Sequence, residues 1–185
     1  MQEISLHIMD LMQNSITAGA TLITLSVEAD EKEDTLSIIL EDNGKGMDSE
    51  MLSRVTSPFT TTRTTRKVGL GIPLFKAGCE QTGGYFEISS TKGVGTKLKG
   101  VYVLSNVDRP PLGQIASTLH TLIICNPQID FAFLVRRNED VFELDTRQVR
   151  QILGDEVPLD APDVSSWLLE NLSEGIQEIF GGVNI

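Results

Sequence analysis

Apolar positions along the chain fall into runs of two kinds, one with a period near 3.6 and one with a period of 2, separated by glycine, proline and charged turns. Between Glu3 and Gly19, Ile4, Ile8, Leu11, Met12, Ser15 and Ile16 return every three or four residues, which predicts an amphipathic helix stopped at Gly19. His7, Asp10 and Asn14 share another stripe of that helix, with Asp10 and Asn14 one turn apart. Polar residues so placed ordinarily face water. Residues 21–28 alternate as a half-buried strand, 31–34 form a charged turn, and 35–41 make the return strand of a hairpin. A short helix is expected over 48–54 with Asp48 as its N-cap, followed by a threonine-rich surface loop over 55–68. Gly69-Leu70-Gly71 opens a helix reaching Gln81 and carrying Ile72, Leu74, Phe75 and Ala77. Strands follow at 85–89 and 96–104, each entered through glycines. After the break at Asp108-Arg109-Pro110-Pro111 the pattern predicts a helix (112–125), two strands (129–136 and 141–144), a short helix capped by Asp145 (146–153), and a last helix (162–180). The apolar stripe of that last helix is Val164, Trp167, Leu168, Leu172, Ile176 and Ile179.

Composition narrows the class. The 185 residues are 40% hydrophobic and 22% charged, ordinary for a globular protein with a sizeable core. The net charge of −11 argues against general attraction to nucleic acid or anionic membrane. Residues 1–108 carry 10 basic and 14 acidic side chains, and residues 109–185 carry 5 and 12. The dense basic patch is Arg63, Arg66 and Lys67 in the threonine-rich loop, a cationic segment in an acidic chain. Cys79 and Cys125 have no Cys or His at metal-ligand spacing and are expected to be reduced, buried thiols. Met1 leads directly into the first helix, so no signal peptide is expected, and no apolar run reaches the ~18 residues of a membrane span. A cytoplasmic location is the expectation.

The stretch Glu41-Asp42-Asn43-Gly44-Lys45-Gly46-Met47 departs from these patterns. A carboxylate ends an apolar strand and is followed by two glycines that leave no side chain between backbone and ligand. At a pocket rim Asp42 can accept a hydrogen bond from an amino group, a charge-assisted bond worth roughly 1.5–3 kcal/mol. An Asp-Asn-Gly turn between two strands is the plain alternative. Farther along, the glycines at 69 and 71 free N–H groups at a helix start, where the dipole favours an anion.

Taken together, the helix with Asp10 and Asn14, the strand ending Asp42-x-Gly44-x-Gly46, the basic loop, the Gly69-x-Gly71 helix and the Gly93-x-Gly95-Thr96 strand resemble the GHKL ATPase superfamily of gyrase-type topoisomerases, Hsp90 chaperones, histidine kinases and mismatch-repair ATPases. The resemblance covers about residues 3–104. It implies an α/β fold of α+β two-layer sandwich type: a mixed sheet with helices on one face, the Bergerat-type ATP-binding fold, over 1–108. Residues 109–185 would be an α/β extension that packs on it or docks a partner. It implies ATP and Mg²⁺ as ligands, with Asn14 on the metal and Asp42 on the adenine amino group, supported by Thr96 directly or through water. Gly44, Gly46 and Met47 would line the adenine pocket, and Gly69, Leu70 and Gly71 would wrap the phosphates. Ser57-Pro58-Phe59-Thr60-Thr61-Thr62-Arg63 is similar to the lid of kinases carrying Pro-Phe-Phe-Thr-Thr-Lys, with Arg63 in the lysine's place and Lys67 adding charge. Asp10 stands where gyrase-type members hold a glutamate general base, one methylene longer. Only six residues precede His7, leaving no room for a phosphoacceptor helix pair, so the expected activity is γ-phosphate transfer to a partner protein in trans, or hydrolysis. An ATP-responsive module that recruits a partner without turnover is the alternative.

Overall fold

A computed structural model describes residues 3–56 and 70–181. The elements in chain order are α1 (Ile4–Thr17), β1 (Leu22–Asp30), β2 (Thr35–Asp42), α2 (Ser49–Thr56), α3 (Gly71–Gln81), β3 (Tyr85–Thr91), β4 (Gly95–Val103), α4 (Ile115–Cys125), β5 (Asp130–Arg137), β6 (Asp140–Asp145), α5 (Thr146–Leu153) and α6 (Pro162–Phe180). The strands form one sheet in the order β3-β4-β2-β1-β5-β6. All neighbours are antiparallel except β1 and β5, which run parallel.

Alternation along the strands decides which face is covered. Ile23, Leu25 and Val27 of β1, Leu36, Ile38 and Leu40 of β2, and Phe131, Phe133 and Val135 of β5 fall on one side in register and are buried. The helices supply the other half of this core through Ile4, Ile8, Leu11 and Met12 of α1, Phe75 of α3, Leu119 and Ile123 of α4, and Leu168 and Leu172 of α6. On the opposite face the neighbours are polar. Lys97 pairs with Glu41 (3.2 Å) and Arg136 with Glu28 (3.6 Å). This is the two-layer, mixed-sheet α+β fold.

Residues 109–185 are built into that same sheet and helix layer. β5 pairs along the whole of β1, from Leu22 with Asp130 to Ala29 with Arg137. The Asp108–Pro111 break is a strap. Glu3 offers no side-chain cap to α1, and the first free N–H groups of that helix, on Ile4 and Ser5, donate to the carbonyls of Pro111 and Leu112 (2.9 Å each). Three side chains lie otherwise than the pattern predicts. Trp167 is 46% exposed, because the buried stripe of α6 runs through Val164, Leu168, Leu172 and Ile176 and leaves Trp167 beside it. Leu74 is exposed on α3. Cys125 is exposed at the end of α4, whereas Cys79 is buried and its thiol is pushed up to about 12 by desolvation. Next to Cys79, the buried Tyr102 hydroxyl meets no oxygen or nitrogen partner, and burial together with the adjacent thiol raises its pKa.

Candidate functional site

Asp42 ends β2 on the covered face, following Leu36, Ile38 and Leu40 at two-residue spacing, so the strand itself drives a carboxylate under the helix layer. Only 8% of it is exposed. Burying it is tolerable because two donors meet it: the Ser15 hydroxyl gives a 2.7 Å bond to Oδ2, and the Gly44 N–H gives a 2.9 Å bond to Oδ1. A carboxylate has about four acceptor sites, so the pair fixes its orientation and leaves capacity for a ligand donor. Ser15 was missed in the sequence because it sits on the apolar stripe of α1 and reads as a small core residue. A buried hydroxyl needs a partner, and that requirement was the available signal.

The loop after Asp42 is tied down on every side. The Asn43 side chain accepts from the N–H groups of Thr21 and Leu22, and the Lys45 N–H donates to the Ala18 carbonyl (2.9 Å). Gly46 has φ +61°, and a Cβ there would sit 2.0 Å from the Thr91 carbonyl oxygen, so only glycine fits. The Met47 N–H donates to the Ser90 hydroxyl (2.8 Å), which lies 2.9 Å from the Thr96 hydroxyl. Thr96 is opposite Asp42 in register, yet its hydroxyl pairs with Ser90. Among the described side chains, the hydroxyl that bonds Asp42 directly is that of Ser15.

On α1, Asp10 and Asn14 are both exposed on one side of the helix. Gly71, the first residue of α3, abuts them: a Cβ added there would lie 3.2 Å from Asp10 Cβ and 4.0 Å from Asn14 Nδ2. Glycine therefore lets the positive end of α3 come against this pair, and Leu70 before it is exposed. Such an end attracts anions, while Asn14 and Asp10 offer an amide oxygen and a carboxylate beside it. His7, one turn earlier, is buried near Phe75 (ring centroids 6.2 Å apart). Desolvation lowers its pKa, with Asp10 partly opposing, which marks a neutral core histidine. The structure thus brings Asp10, Asn14 and Gly71 together, and through Ser15 joins them to Asp42, Gly44, Gly46, Met47 and Thr96. Arg63, Lys67 and Gly69 lie outside the described residues.

The profile of the family described as Histidine kinase-, DNA gyrase B-, and HSP90-like ATPase matches residues 2–105. The chain belongs to this ATPase family. The matched span covers α1 through β4 and so takes in Asp10, Asn14, Asp42, Gly71 and Thr96, stopping before α4. Relatives agree. The sensor histidine kinase ZraS of Salmonella typhimurium is 34% identical over 89 residues, covering 48% of this chain and 19% of that protein. The sensor protein kinase FleS of Pseudomonas aeruginosa is 38% identical over 58 residues, covering 31% of this chain and 14% of its own length. The chain thus spans less than a fifth of these relatives. Among solved structures, the N-terminal domain of a DNA repair protein shares the fold, with a TM-score of 0.53 and 14% identity, over 98% of this chain and 58% of that one. No described helix is long and apolar enough to cross a membrane.

Proposed function

We propose that the chain binds Mg·ATP between Asp42 and the start of α3, and passes the γ-phosphate to a partner protein or to water. The observation that carries this reading is the convergence on one turn of α1. Asn14 and Asp10 flank Gly71, and the residue after Asn14 grips Asp42. The free acceptor capacity of Asp42 suits an adenine amino group, with Gly44, Gly46 and Met47 forming the pocket floor. Gly69, Leu70 and Gly71 offer N–H groups to the phosphates, and Arg63 and Lys67 add positive charge from the sequence between α2 and α3.

The residues present fit a magnesium ion held jointly with phosphate. Among the described residues no cluster of three or more His, Cys, Asp or Glu could hold a metal by itself. Asn14 is an exposed hard ligand, and Mg²⁺ is ordinarily bound by few protein groups plus phosphate oxygens and water. Bound there, the ion would offset the phosphate charge. Asp10 would accept the proton of the attacking water or hydroxyl, and its short side chain requires that group to come close to α1.

The test is Asp10→Asn assayed with γ-labelled ATP and Mg²⁺. Size and polarity are kept and proton acceptance is lost. Turnover should fall by at least about a hundredfold, because a positioned base contributes ~10²–10⁴-fold, while ATP affinity stays at the wild-type value. Equal rates in the two proteins would remove Asp10 as the base. A wild-type rate no faster than uncatalysed ATP loss would make ATP a conformational ligand and the chain a nucleotide-responsive docking module.

A further inference from the structure

Helices α5 and α6 leave between them an apolar groove of about 270 Å³, lined by Val149, Ile152, Leu153, Asp163, Val164 and Trp167. The core does not account for its edges. Ile152 is 86% exposed and Trp167 46%, although α6 already buries Val164, Leu168 and Leu172 against the sheet. A bulky isoleucine and a tryptophan held in water beside a hydrocarbon recess are costly for a surface with nothing to bind.

Charge indicates what the groove receives. After Arg150 the sequence has seven carboxylates and no Lys or Arg. Asp155, Glu156 and Asp160 sit on the connection between the two helices, and Asp163 lies in the first turn of α6. None of these four forms an ion pair with another described residue. The nearby cations of α5 are engaged elsewhere, Arg147 with Asp145 (2.7 Å) and Arg150 with Asp130 (2.9 Å). An apolar slot lined by Asp163, with the acidic α5–α6 connection unpaired among the described residues, repels nucleic acid and anionic lipid and attracts a cationic, apolar segment.

We propose that the α5–α6 groove docks a basic amphipathic helix of a partner protein, one bulky apolar side chain entering the slot and flanking Lys or Arg meeting the rim. The site stands independently of the nucleotide reading.

Trp167 is the chain's one tryptophan, so its emission reports the groove. The probe is a tryptophan-free synthetic peptide of roughly five helical turns, Leu on one face and Lys on the other, compared with a Leu/Glu twin. With the full chain, the Leu/Lys peptide should shift Trp167 emission to the blue saturably, bind at least about tenfold more tightly than the twin, and weaken as salt rises. Ile152→Glu, at an exposed position, should abolish binding with the circular dichroism unchanged. Asp155→Lys combined with Asp163→Lys should turn the preference toward the Leu/Glu peptide. The proposal is overturned by the absence of a saturable shift, by equal binding of the two peptides, or by binding that survives Ile152→Glu. It is also overturned if the protein alone shows the shift with rising concentration and sediments as a dimer, because a second copy then fills the groove.

Discussion

On the β2–β4 flank of the sheet, chain segments meet through polar atoms and bare backbone: Ser15 on Asp42, Ser90 on Thr96 and Met47, Gly46 under Thr91 and Gly71 against Asp10. On the β5–β6 flank they meet through hydrocarbon, with Phe131, Phe133, Leu168 and Leu172 closing the core beneath α4 and α6. The family match covers the first flank and ends before α4. Both flanks share one apolar core, to which the first gives Leu36, Ile38, Leu40 and Phe75. The directed hydrogen bonds of the first hold groups in defined places, whereas close-packed side chains contribute stability without orienting a ligand. Changes on the two sides should therefore separate binding from folding.

The largest separation is expected from Leu168→Ala, at a side chain with 0% exposure. Truncation should cost about 2–5 kcal/mol in denaturant unfolding, while the folded fraction binds nucleotide as before. If affinity drops in step with stability, the two flanks are one energetic unit and the contrast fails. Asp42→Ala is the converse. Loss of a charge-assisted bond of about 2–3 kcal/mol predicts roughly 30- to 150-fold weaker ATP binding and loss of discrimination between ATP and GTP, with the far-ultraviolet circular dichroism retained. A wild-type protein that binds ATP and GTP equally removes Asp42 from base recognition. The finest comparison sets two hydroxyls side by side. Ser15→Ala removes the bond that orients Asp42 and should weaken ATP by roughly 2- to 10-fold, following the ~0.5–1.5 kcal/mol of one hydrogen bond. Tyr102→Phe removes a buried hydroxyl that meets no oxygen or nitrogen partner and should leave affinity unchanged and stability nearly level. Identical effects would mean the Ser15 contact does no positioning.

Local features were legible in the sequence wherever the cause was local. The helix over 146–153 with its Asp145 cap and the Asp48 cap on α2 follow from side chains bonding within a few residues, and the helix over 162–180 from its apolar period after Pro162. The Asp42-Asn43-Gly44 turn and the Gly71 helix start stood out because they break the hydrophobic period. What escaped is set by distant partners. Ser15 acquires its role only when Asp42, 27 residues on, meets it. Thr96 yields its hydroxyl to Ser90 because β3 and β4 pair. Trp167 satisfies the helical spacing and still lies outside the core, since the rotation of α6 is fixed by what it packs on. No period in the sequence announces that β5 lies beside β1.

That parallel pairing governs how the chain can be assembled. β1 is complete within the first thirty residues, yet its outer edge has no partner until β5, a hundred residues later, has been made and delivered through α4. While the residues between Asp30 and Asp130 are being made, the growing chain carries an open row of β1 backbone donors and acceptors, a template for wrong strands in the meantime. Closing so long a loop before the pairing is rewarded makes this step slow, and the final zipping of β5 onto β1 the natural rate-limiting event of folding.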